Sequence, residues 1–363
     1  MKFMKMLYRG EHSFDFPALW RKALTVSVAL VLISLGALFI RGLNLGIEFE
    51  GGTSWEVEAS GASVADARDA LSGTAAAAGK IQTVGTDSIR VRADIGDLDE
   101  VAEISAILAE FAAVEITDVS VTTVGPSWGD QITNKARNAL IWFFIIVAAY
   151  IAIRLEWKMA VGALVAVAHD ILISVGVYAV FQFEVTPATV IAFLTIMGYS
   201  LYDTIVVYDK VREVGGRLTG TARYTYTEMM NLALNQVQMR SINTSITSVL
   251  PVLSMLVIGS FFLGALTLQE FAIALLIGIV VGTYSSIFVA SSLVAYMKER
   301  EAEHAAVARK VASRSGDDVG TRAVSAEDVA LGGIPTRVTR PTADGGARPA
   351  GQPPRPRKKK KKR

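Results

Sequence analysis

Ionisable side chains lie inside or beside apolar stretches at three places in this sequence. His169 and Asp170 are in the middle of one stretch, Asp203 is in the next, and Arg240 begins a third. An ionised group at bilayer depth costs about 2.5–3.5 kcal/mol on insertion scales, so such residues usually serve a function. A carboxyl group that loses hydration holds its proton more tightly and can exchange it near neutral pH. Asp203, Arg240 and Asp170 are therefore the candidate proton-pathway residues.

A pairing of Asp203 with Arg240, which the sequence allows but does not show, would let a proton drive movement. The guanidinium stays charged at all accessible pH values, so its approach favours the ionised carboxylate and its departure favours the acid. Two helix arrangements, with the pair close or apart, would couple proton transfer to motion. The sequence leaves Asp170 open between a relay role and a hydrogen-bonding role, and it predicts a structural hydrogen-bonding role for His169.

A polar stripe follows Arg240 along one predicted helix. Its members recur at spacings that place them on one helical face: Arg240, Asn243, Thr244, Thr247, Ser248 and Pro251. A lipid-facing helix would not carry this stripe, so we expect it to meet another helix or water. Its alternative role is interhelical hydrogen bonding alone. Tyr199 shares a face with Thr195 and Asp203, and the opposite side is predicted to meet lipid: Ile191, Leu194, Leu201 and Ile205.

Six apolar stretches must position these groups. Of 363 residues, 52% are hydrophobic and only 19% are charged, which disfavours an ordinary soluble enzyme. Each stretch approaches the ~20 residues that cross a bilayer as a helix. The predicted spans are 23–40, 138–153, 159–181, 187–207, 242–262 and 271–293. The first is too long for a signal peptide and lacks a cleavage site, so we expect an uncleaved anchor.

Charge is sorted along the chain and predicts the orientation. Residues 42–133 carry four Lys/Arg against sixteen Asp/Glu, whereas the net charge of the whole chain is +2. Basic residues flank the first span and lie in two short connections, which places both termini in the cytoplasm. The predicted domains are a cytoplasmic N-terminus (1–22), the first span (23–40), an extracytoplasmic domain (42–133), five further spans (134–297) with a cytoplasmic loop (208–240), and a disordered basic tail (298–363).

The extracytoplasmic segment has the pattern of a small α+β domain. Strands are predicted at 53–59, 80–84, 88–93 and 116–124, with a turn at 85–87 and helices at 63–71 and 98–111. This βαββαβ order is typical of a ferredoxin-like fold. The expected fold class is thus a membrane bundle of six helices carrying this domain between the first two.

Several other sites are excluded or explained by simple packing. Cysteine is absent and there are three histidines, which exclude disulfides, thiolate zinc sites and a His-rich metal site. Residues 73–80 superficially look like a phosphate loop but have the wrong spacing, so neither a nucleotide site nor a cofactor is expected. Gly278, Gly282 and Ser286 recur every four residues and predict a close helix contact. The basic tail would either stay solvated or touch anionic lipid or the ribosome.

The motifs resemble the SecD/SecF family of the RND superfamily. Residues 45–53, LGIEFEGGT, resemble its Gly-Gly motif, in which Gly46, Gly51, Gly52 and Thr53 match. Residues 168–170, 198–213, and 233–236 with 240–245 resemble its third-, fourth- and fifth-span signatures. The resemblance runs from about residue 14 to 296, with the small external domain of the SecF branch. Glu48 stands where the family has Asp, Glu50 where it has a small polar residue, and Tyr202 where it has Asn.

The resemblance implies a function in protein export together with other proteins. It implies a non-enzymatic subunit in the bacterial cytoplasmic membrane, whose six spans correspond to half of an RND-type transporter. Its partners would be SecD, the SecYEG channel, the SecA motor and preproteins, with the proton-motive force as energy source. Asp203 and Arg240 would be the proton-pathway residues. The alternatives are a non-conducting scaffold that stabilises the translocon or aids insertion, and a small-molecule exporter, whose usual twelve spans are absent here.

Overall fold

The computed structural model describes residues 14–84, 87–218, 224–262 and 265–315. Within these residues, six helical segments are long and apolar enough to cross a membrane, as predicted. In chain order the helices are α1 (Phe16–Arg41), α2 (Ile47–Glu50), α3 (Val64–Ala70), α4 (Leu98–Ala112), α5 (Pro126–Arg154), α6 (Trp157–Phe181), α7 (Pro187–Leu218), α8 (Tyr226–Ser254), α9 (Leu266–Ser285), α10 (Ser291–Glu299) and α11 (Ala302–Ser315). Five of the spans are α1, α5, α6, α7 and α8, the last continued by a π-helical segment, Met255–Phe262. The sixth runs from α9 to α10 through a second π-helical segment, Ser286–Ala290.

The helices extend beyond the apolar runs that predicted them. The predicted loop 208–240 is wrong over most of its length, because α7 continues to Leu218 and α8 begins at Tyr226. A capping box starts α8: the Thr225 hydroxyl accepts from the backbone of Glu228, whose carboxylate accepts from the backbone of Thr225. Hydropathy marks where lipid ends, whereas hydrogen bonding and capping decide where a helix ends.

The described residues also form six strands. They are β1 (Asn44–Leu45), β2 (Gly52–Glu58), β3 (Lys80–Val84), β4 (Ser88–Ala93), β5 (Ser120–Val124) and β6 (Glu184–Val185). Four of them form an antiparallel sheet in the order β3-β4-β2-β5, with α3 and α4 between strands. We call this unit, residues 52–124, the α+β domain. Its βαββαβ element order agrees with the prediction, and so does the six-helix fold class.

Three predictions about the domain need correction or fall outside the structure. Residues 116–118 form a short 3-10 turn and are not part of the last strand. Residues 126–133 belong to α5 and not to the domain, because Pro126 occupies the first turn of that helix, where its missing N–H costs nothing. Of the predicted turn, residues 85–86 lie outside the described residues.

The sheet has one apolar and one charged face. Along β4, Ile89 and Val91 are buried against α3 and α4, together with Trp55 of β2. The indole nitrogen of Trp55 donates to the Ser105 hydroxyl at 3.1 Å, which satisfies the one polar atom it brings into the core. The alternating residues Arg90 and Arg92 point to the other face, and both are buried although charged. That face rests on the membrane helices.

Small residues bring α7 and α9 into close contact. A Cβ atom at Gly278 would lie 2.3 Å from the Ile196 side chain, and one at Gly282 would lie 2.8 Å from Ser200 Cβ. Ser286 continues the row and its hydroxyl lies 2.9 Å from that of Thr204. The predicted four-residue seam is therefore a helix contact.

The predicted lipid-facing side of α7 is wrong at Leu201. Ile191 is exposed, but Leu201 is buried in the bundle core with Met197 and Tyr208. The reason is that the exposed stripe of α7 runs through Ile191, Thr195, Gly198 and Tyr202, which places Leu201 on the side that packs in the bundle. The more peripheral helices are α1, α5 and α8, whose apolar windows are only 11%, 6% and 11% buried.

The C-terminal region contains more structure than predicted. The predicted disorder is wrong at 302–315, where α11 forms, and residues 316–363 lie outside the described residues. Lys158 at the start of α6 bonds to the Met297 carbonyl at 2.7 Å and pairs with Glu301 at 3.0 Å. These contacts tie the chain before α11 to the bundle.

Candidate functional site

Asp203 lies at the contact between α7 and α8 and is partly buried. The buried hydroxyl of Ser241 is 2.7 Å from Oδ1 and 2.6 Å from Oδ2 of its carboxylate. A hydroxyl both donates and accepts, so Ser241 can bond to the ionised or the protonated form of Asp203. Ser241 was not predicted as a site residue, although it stands beside Arg240 in the fifth-span signature.

Arg240 does not pair with Asp203 in this arrangement. Its guanidinium donates to the Tyr202 hydroxyl at 2.8 Å and lies 5.8 Å from the centre of that ring. Among the ion pairs of the described residues, none joins Arg240 to Asp203 within 4.0 Å. Consecutive residues of α7 thus meet consecutive residues of α8, with Tyr202 on Arg240 and Asp203 on Ser241. The guanidinium thus contacts Tyr202, the residue before its candidate partner Asp203.

The polar face of α8 is open in the isolated chain. Arg240, Asn243 and Thr247 are exposed, and Thr244 is partly so. The threonine hydroxyls bond back to their own helix, Thr244 to the Arg240 carbonyl at 2.6 Å and Thr247 to the Asn243 carbonyl at 2.9 Å. Their donors are satisfied, but the face as a whole remains polar at membrane depth. Tyr199 lies apart, packed with the apolar residues between α8 and α9.

Asp170 is the centre of a second, fully enclosed cluster. Only 2% of its surface is exposed, and its Oδ2 accepts from Ser200 at 2.5 Å and from Ser285 at 2.8 Å. His169 Nδ1 is 3.1 Å from Oδ1, and the His169 ring stacks on Tyr284. Three helices, α6, α7 and α9, therefore converge on one carboxylate. Ser285 stands next to Ser286 of the predicted seam and Ser200 lies inside the fourth-span signature, but neither was predicted to contact Asp170.

Hydroxyl groups continue from both carboxylates towards α9. Ser245, one turn after Ser241, lies 2.8 Å from the Thr283 hydroxyl. On the other side Thr204 lies 2.9 Å from Ser286, which also bonds to the Ser200 carbonyl at 3.3 Å. Ser200 and Asp203 are three residues apart on α7, a rise of about 4.5 Å along the helix. The helix α7 thus carries one group from each cluster, which relates the two sites mechanically.

The predicted Gly-Gly motif lies away from the carboxylates, at the base of the α+β domain. Gly51 and Gly52 have φ values of 83° and 99°, a left-handed region that favours glycine. A Cβ at Gly52 would also lie 2.5 Å from the Ala93 carbonyl oxygen. Gly46 donates its N–H to the Val185 carbonyl at 2.9 Å, and the Thr53 hydroxyl donates to the Ile95 carbonyl at 2.6 Å. The motif turns the chain from the bundle into the sheet.

Comparison with known protein families gives two matches. The family described as "Protein export membrane protein SecD/SecF, C-terminal" matches residues 103–300, and the "SecD/SecF GG Motif" matches residues 36–62. These regions contain Asp170, Asp203, Arg240 and the glycines at the base of the domain.

Individual relatives are similar over most of the chain. The protein translocase subunit SecF of Streptomyces coelicolor is 39% identical over 325 residues, covering 89% of this chain and 87% of that protein. The SecF of Mycobacterium tuberculosis strain H37Rv is 39% identical over 309 residues, covering 82% and 70%. The SecDF of Thermus thermophilus is 33% identical over 302 residues, which are 81% of this chain but 40% of that longer protein.

The solved structures give the same result for the fold. The crystal structure of SecDF from Thermus thermophilus, a translocon-associated membrane protein, aligns with a TM-score of 0.72 at 32% identity. The alignment covers 80% of this chain and 39% of that chain. A second structure of SecDF, in its super-membrane-facing form, aligns with a TM-score of 0.55. This chain belongs to the SecD/SecF family, as a SecF-type, multi-pass membrane subunit of a Sec protein translocase and not a classical enzyme.

Proposed function

We propose that this subunit acts with a SecD-type partner to convert the proton-motive force into preprotein movement across the bacterial cytoplasmic membrane. The observation that carries the proposal is the contact between α7 and α8, in which consecutive residues of one helix meet consecutive residues of the other. Asp203 is bonded to Ser241, while Arg240 is held one residue away by Tyr202. A titratable group and a permanent cation therefore stand next to each other without forming a pair.

A shift of α8 against α7 would change the state of this site. If Arg240 left Tyr202 and approached Asp203, their attraction would favour the ionised carboxylate and release of a proton. Retreat of the guanidinium would favour proton uptake, with Ser241 able to bond to either form. The membrane potential supplies about 2.3 kcal/mol per elementary charge per 100 mV, enough to bias such a two-state element. The ionic energy source would make a nucleotide site unnecessary.

The open face of α8 supports a partner inside the membrane. Lipid cannot satisfy Arg240 and Asn243, so a second helical subunit or a water-filled interface must cover them. The SecDF relative joins a SecD part and a SecF part in one longer chain, which favours SecD as that partner. The SecYEG channel, SecA and the preprotein belong to the same proposal.

The proposed orientation follows from the charge distribution. Basic residues flank the bundle at the end opposite the α+β domain, which places that end and both termini in the cytoplasm. The domain would then contact preproteins on the outer side. The basic residues near the C-terminus would either stay solvated or contact anionic lipid or the ribosome.

The experiment is Asp203→Asn in the full complex, assayed for export into inverted membrane vesicles. We expect assembly with the SecD-type partner to persist and the stimulation by a proton gradient to be lost. Asp209→Asn is the matched control, because Asp209 lies on the same helix but forms an exposed ion pair with Arg154. Arg240→Ala should behave like Asp203→Asn. Full gradient-driven export in Asp203→Asn would refute proton coupling at this site.

A non-conducting scaffold is the second candidate, and the Asp170 cluster favours it. A carboxylate that is 2% exposed and bonded from three helices is placed as a structural hydrogen-bonding centre would be. Under this hypothesis Asp170→Asn would keep function, since an amide can hold the same helices. Loss of assembly in Asp203→Asn, with no separate effect of the gradient, would favour the scaffold.

A further inference from the structure

A buried ionic cluster joins the α+β domain to the membrane helices. Glu184 is its centre: Arg90 Nη1 is 2.9 Å from Oε2 and Arg92 Nη1 is 2.9 Å from Oε1. The side chains of Arg90, Arg92 and Glu184 are 11%, 5% and 7% exposed, respectively. Both arginines belong to β4, whereas Glu184 lies in β6, in the turn between α6 and α7. One carboxylate is thus held by two cations from a different part of the fold.

The arginines are tied further to both sides of the contact. Arg90 also pairs with Glu56 of the sheet at 3.2 Å and with Glu270 of α9 at 3.5 Å. Burial disfavours the charged form of Arg90, but the surrounding carboxylates outweigh this and raise its pKa. Arg92 donates to the Leu45 carbonyl at 3.1 Å and to Asn44 at 3.0 Å.

The position of Glu184 relates this cluster to the candidate proton site. Glu184 is in a five-residue connection, and α6 before it carries Asp170 while α7 after it carries Asp203. Parallel pairing of β1 with β6 places Asn44 beside Glu184, so the end of α1 enters the same contact. A displacement of α6 or α7 therefore reaches the sheet through Glu184.

We propose that Glu184, clamped between Arg90 and Arg92, is the positioning residue that transmits movement of α6 and α7 to the α+β domain. Removing one partner from a buried ion pair leaves an uncompensated charge, so the contact is held or opened as a unit. The domain therefore follows the helices while the clamp is closed. The consequence for export rests on the proposed function, but the mechanical linkage does not.

The linkage can be measured as a distance between the domain and α6. The chain has no cysteine, so Glu103→Cys on α4 and Val165→Cys on α6, both exposed, give two spin-label sites in the full-length protein. We expect one narrow distance distribution with Glu184 present. Glu184→Gln should add a second population. The control is Glu50→Gln, which breaks an exposed ion pair with Lys80 and should leave the distribution unchanged.

Glu184→Asp separates charge from shape. Aspartate keeps the charge but is shorter, whereas glutamine keeps the length but loses the charge. If the clamp is ionic, Glu184→Asp should keep most of the narrow population and Glu184→Gln should not. The reverse order would overturn the proposal. A single narrow distribution in Glu184→Gln would overturn it as well. If Glu184→Gln does not fold, Arg92→Lys supplies the test, because a lysine keeps the charge but cannot reach Glu184, Leu45 and Asn44 together. An unchanged distribution there would equally overturn it.

The export assay keeps this proposal distinct from proton coupling. A second distance population in Glu184→Gln, with Asp203→Asn still active, supports the linkage while refuting proton use at Asp203. A single population, with Asp203→Asn inactive, refutes the linkage and leaves proton coupling intact.

Discussion

Substitution of Gly278 by alanine tests whether the α7–α9 contact holds the bundle together. The added Cβ would lie 2.3 Å from Ile196 Cδ1, 2.3 Å from Cγ2 and 2.8 Å from Cγ1. Ile196 is buried and β-branched, so its side chain has few other rotamers available. The clash involves Cγ1 and Cγ2 as well as the terminal Cδ1, so moving the end of the side chain alone does not relieve it. The helices must therefore separate or Ile196 must leave its position.

The expected cost follows from two opposing effects. Overpacking of a filled site costs about 1–3 kcal/mol. Replacing glycine by alanine inside a helix recovers about 1 kcal/mol. Gly198→Ala on α7 is the matched control, because its Cβ would meet nothing within 4 Å. The helix term cancels between the two variants, so Gly278→Ala should be less stable than Gly198→Ala by about 1–3 kcal/mol.

The measurement is reversible unfolding of the purified protein in mixed micelles, followed by circular dichroism. A second variant, Ile196→Ala, removes all three clashing atoms and alone should cost about 2–5 kcal/mol. In the double variant the alanine methyl enters the vacated space, so the costs should fall short of their sum by about 1 kcal/mol or more. Equal stability of Gly278→Ala and Gly198→Ala would refute the close contact. Strict additivity in the double variant would do the same.

Two further predictions concern the ends of helices. Asn235→Ala removes a side chain that accepts from the Phe14 N–H at 2.7 Å and donates to the Phe14 carbonyl at 2.9 Å. Because that backbone is partly buried, we expect the free energy of unfolding to fall by about 1–3 kcal/mol in the same measurement. An unchanged free energy of unfolding would show that these two hydrogen bonds do not hold the start of α1. Hydrogen bonds from the Ser63 side chain and backbone lower the pKa of Asp66, so their contribution is present at neutral pH and disappears as the pH falls through that lowered pKa. Ser63→Ala should therefore raise the pKa of Asp66 in an NMR titration of the carboxyl carbon, and an unchanged pKa would show that the hydrogen bonds do not form.

Local features of the sequence predicted the elements of this fold well. The six apolar stretches correspond to six spans, because a helix in lipid must satisfy its backbone hydrogen bonds within its own segment. The alternation along β4 gave a strand with one apolar side, and the glycine row on α9 gave a close contact. Element ends were less accurate, as in the helical residues of the predicted loop 208–240, since caps and not hydropathy define them.

The partners of the candidate residues depended on the tertiary structure. Asp170 and Asp203 were identified from the sequence because an ionisable group in an apolar stretch is unusual by itself. Their hydrogen-bond donors were not, because Ser200, Ser241 and Ser285 resemble any small helix-contact residue until the helices are placed. The cost of a buried charge is local and visible in sequence, whereas its compensation comes from another segment.

The sequence by itself therefore determined the number of spans, the small domain between the first two, and the carboxylates that stand out at membrane depth. Only the tertiary structure decided that Arg240 contacts Tyr202 and not Asp203, and that Arg90 and Arg92 turn a charged sheet face onto Glu184. Glu184 is more than ninety residues away from both arginines along the chain. Contacts of this separation depend on how completed elements pack, which no local pattern of residues encodes.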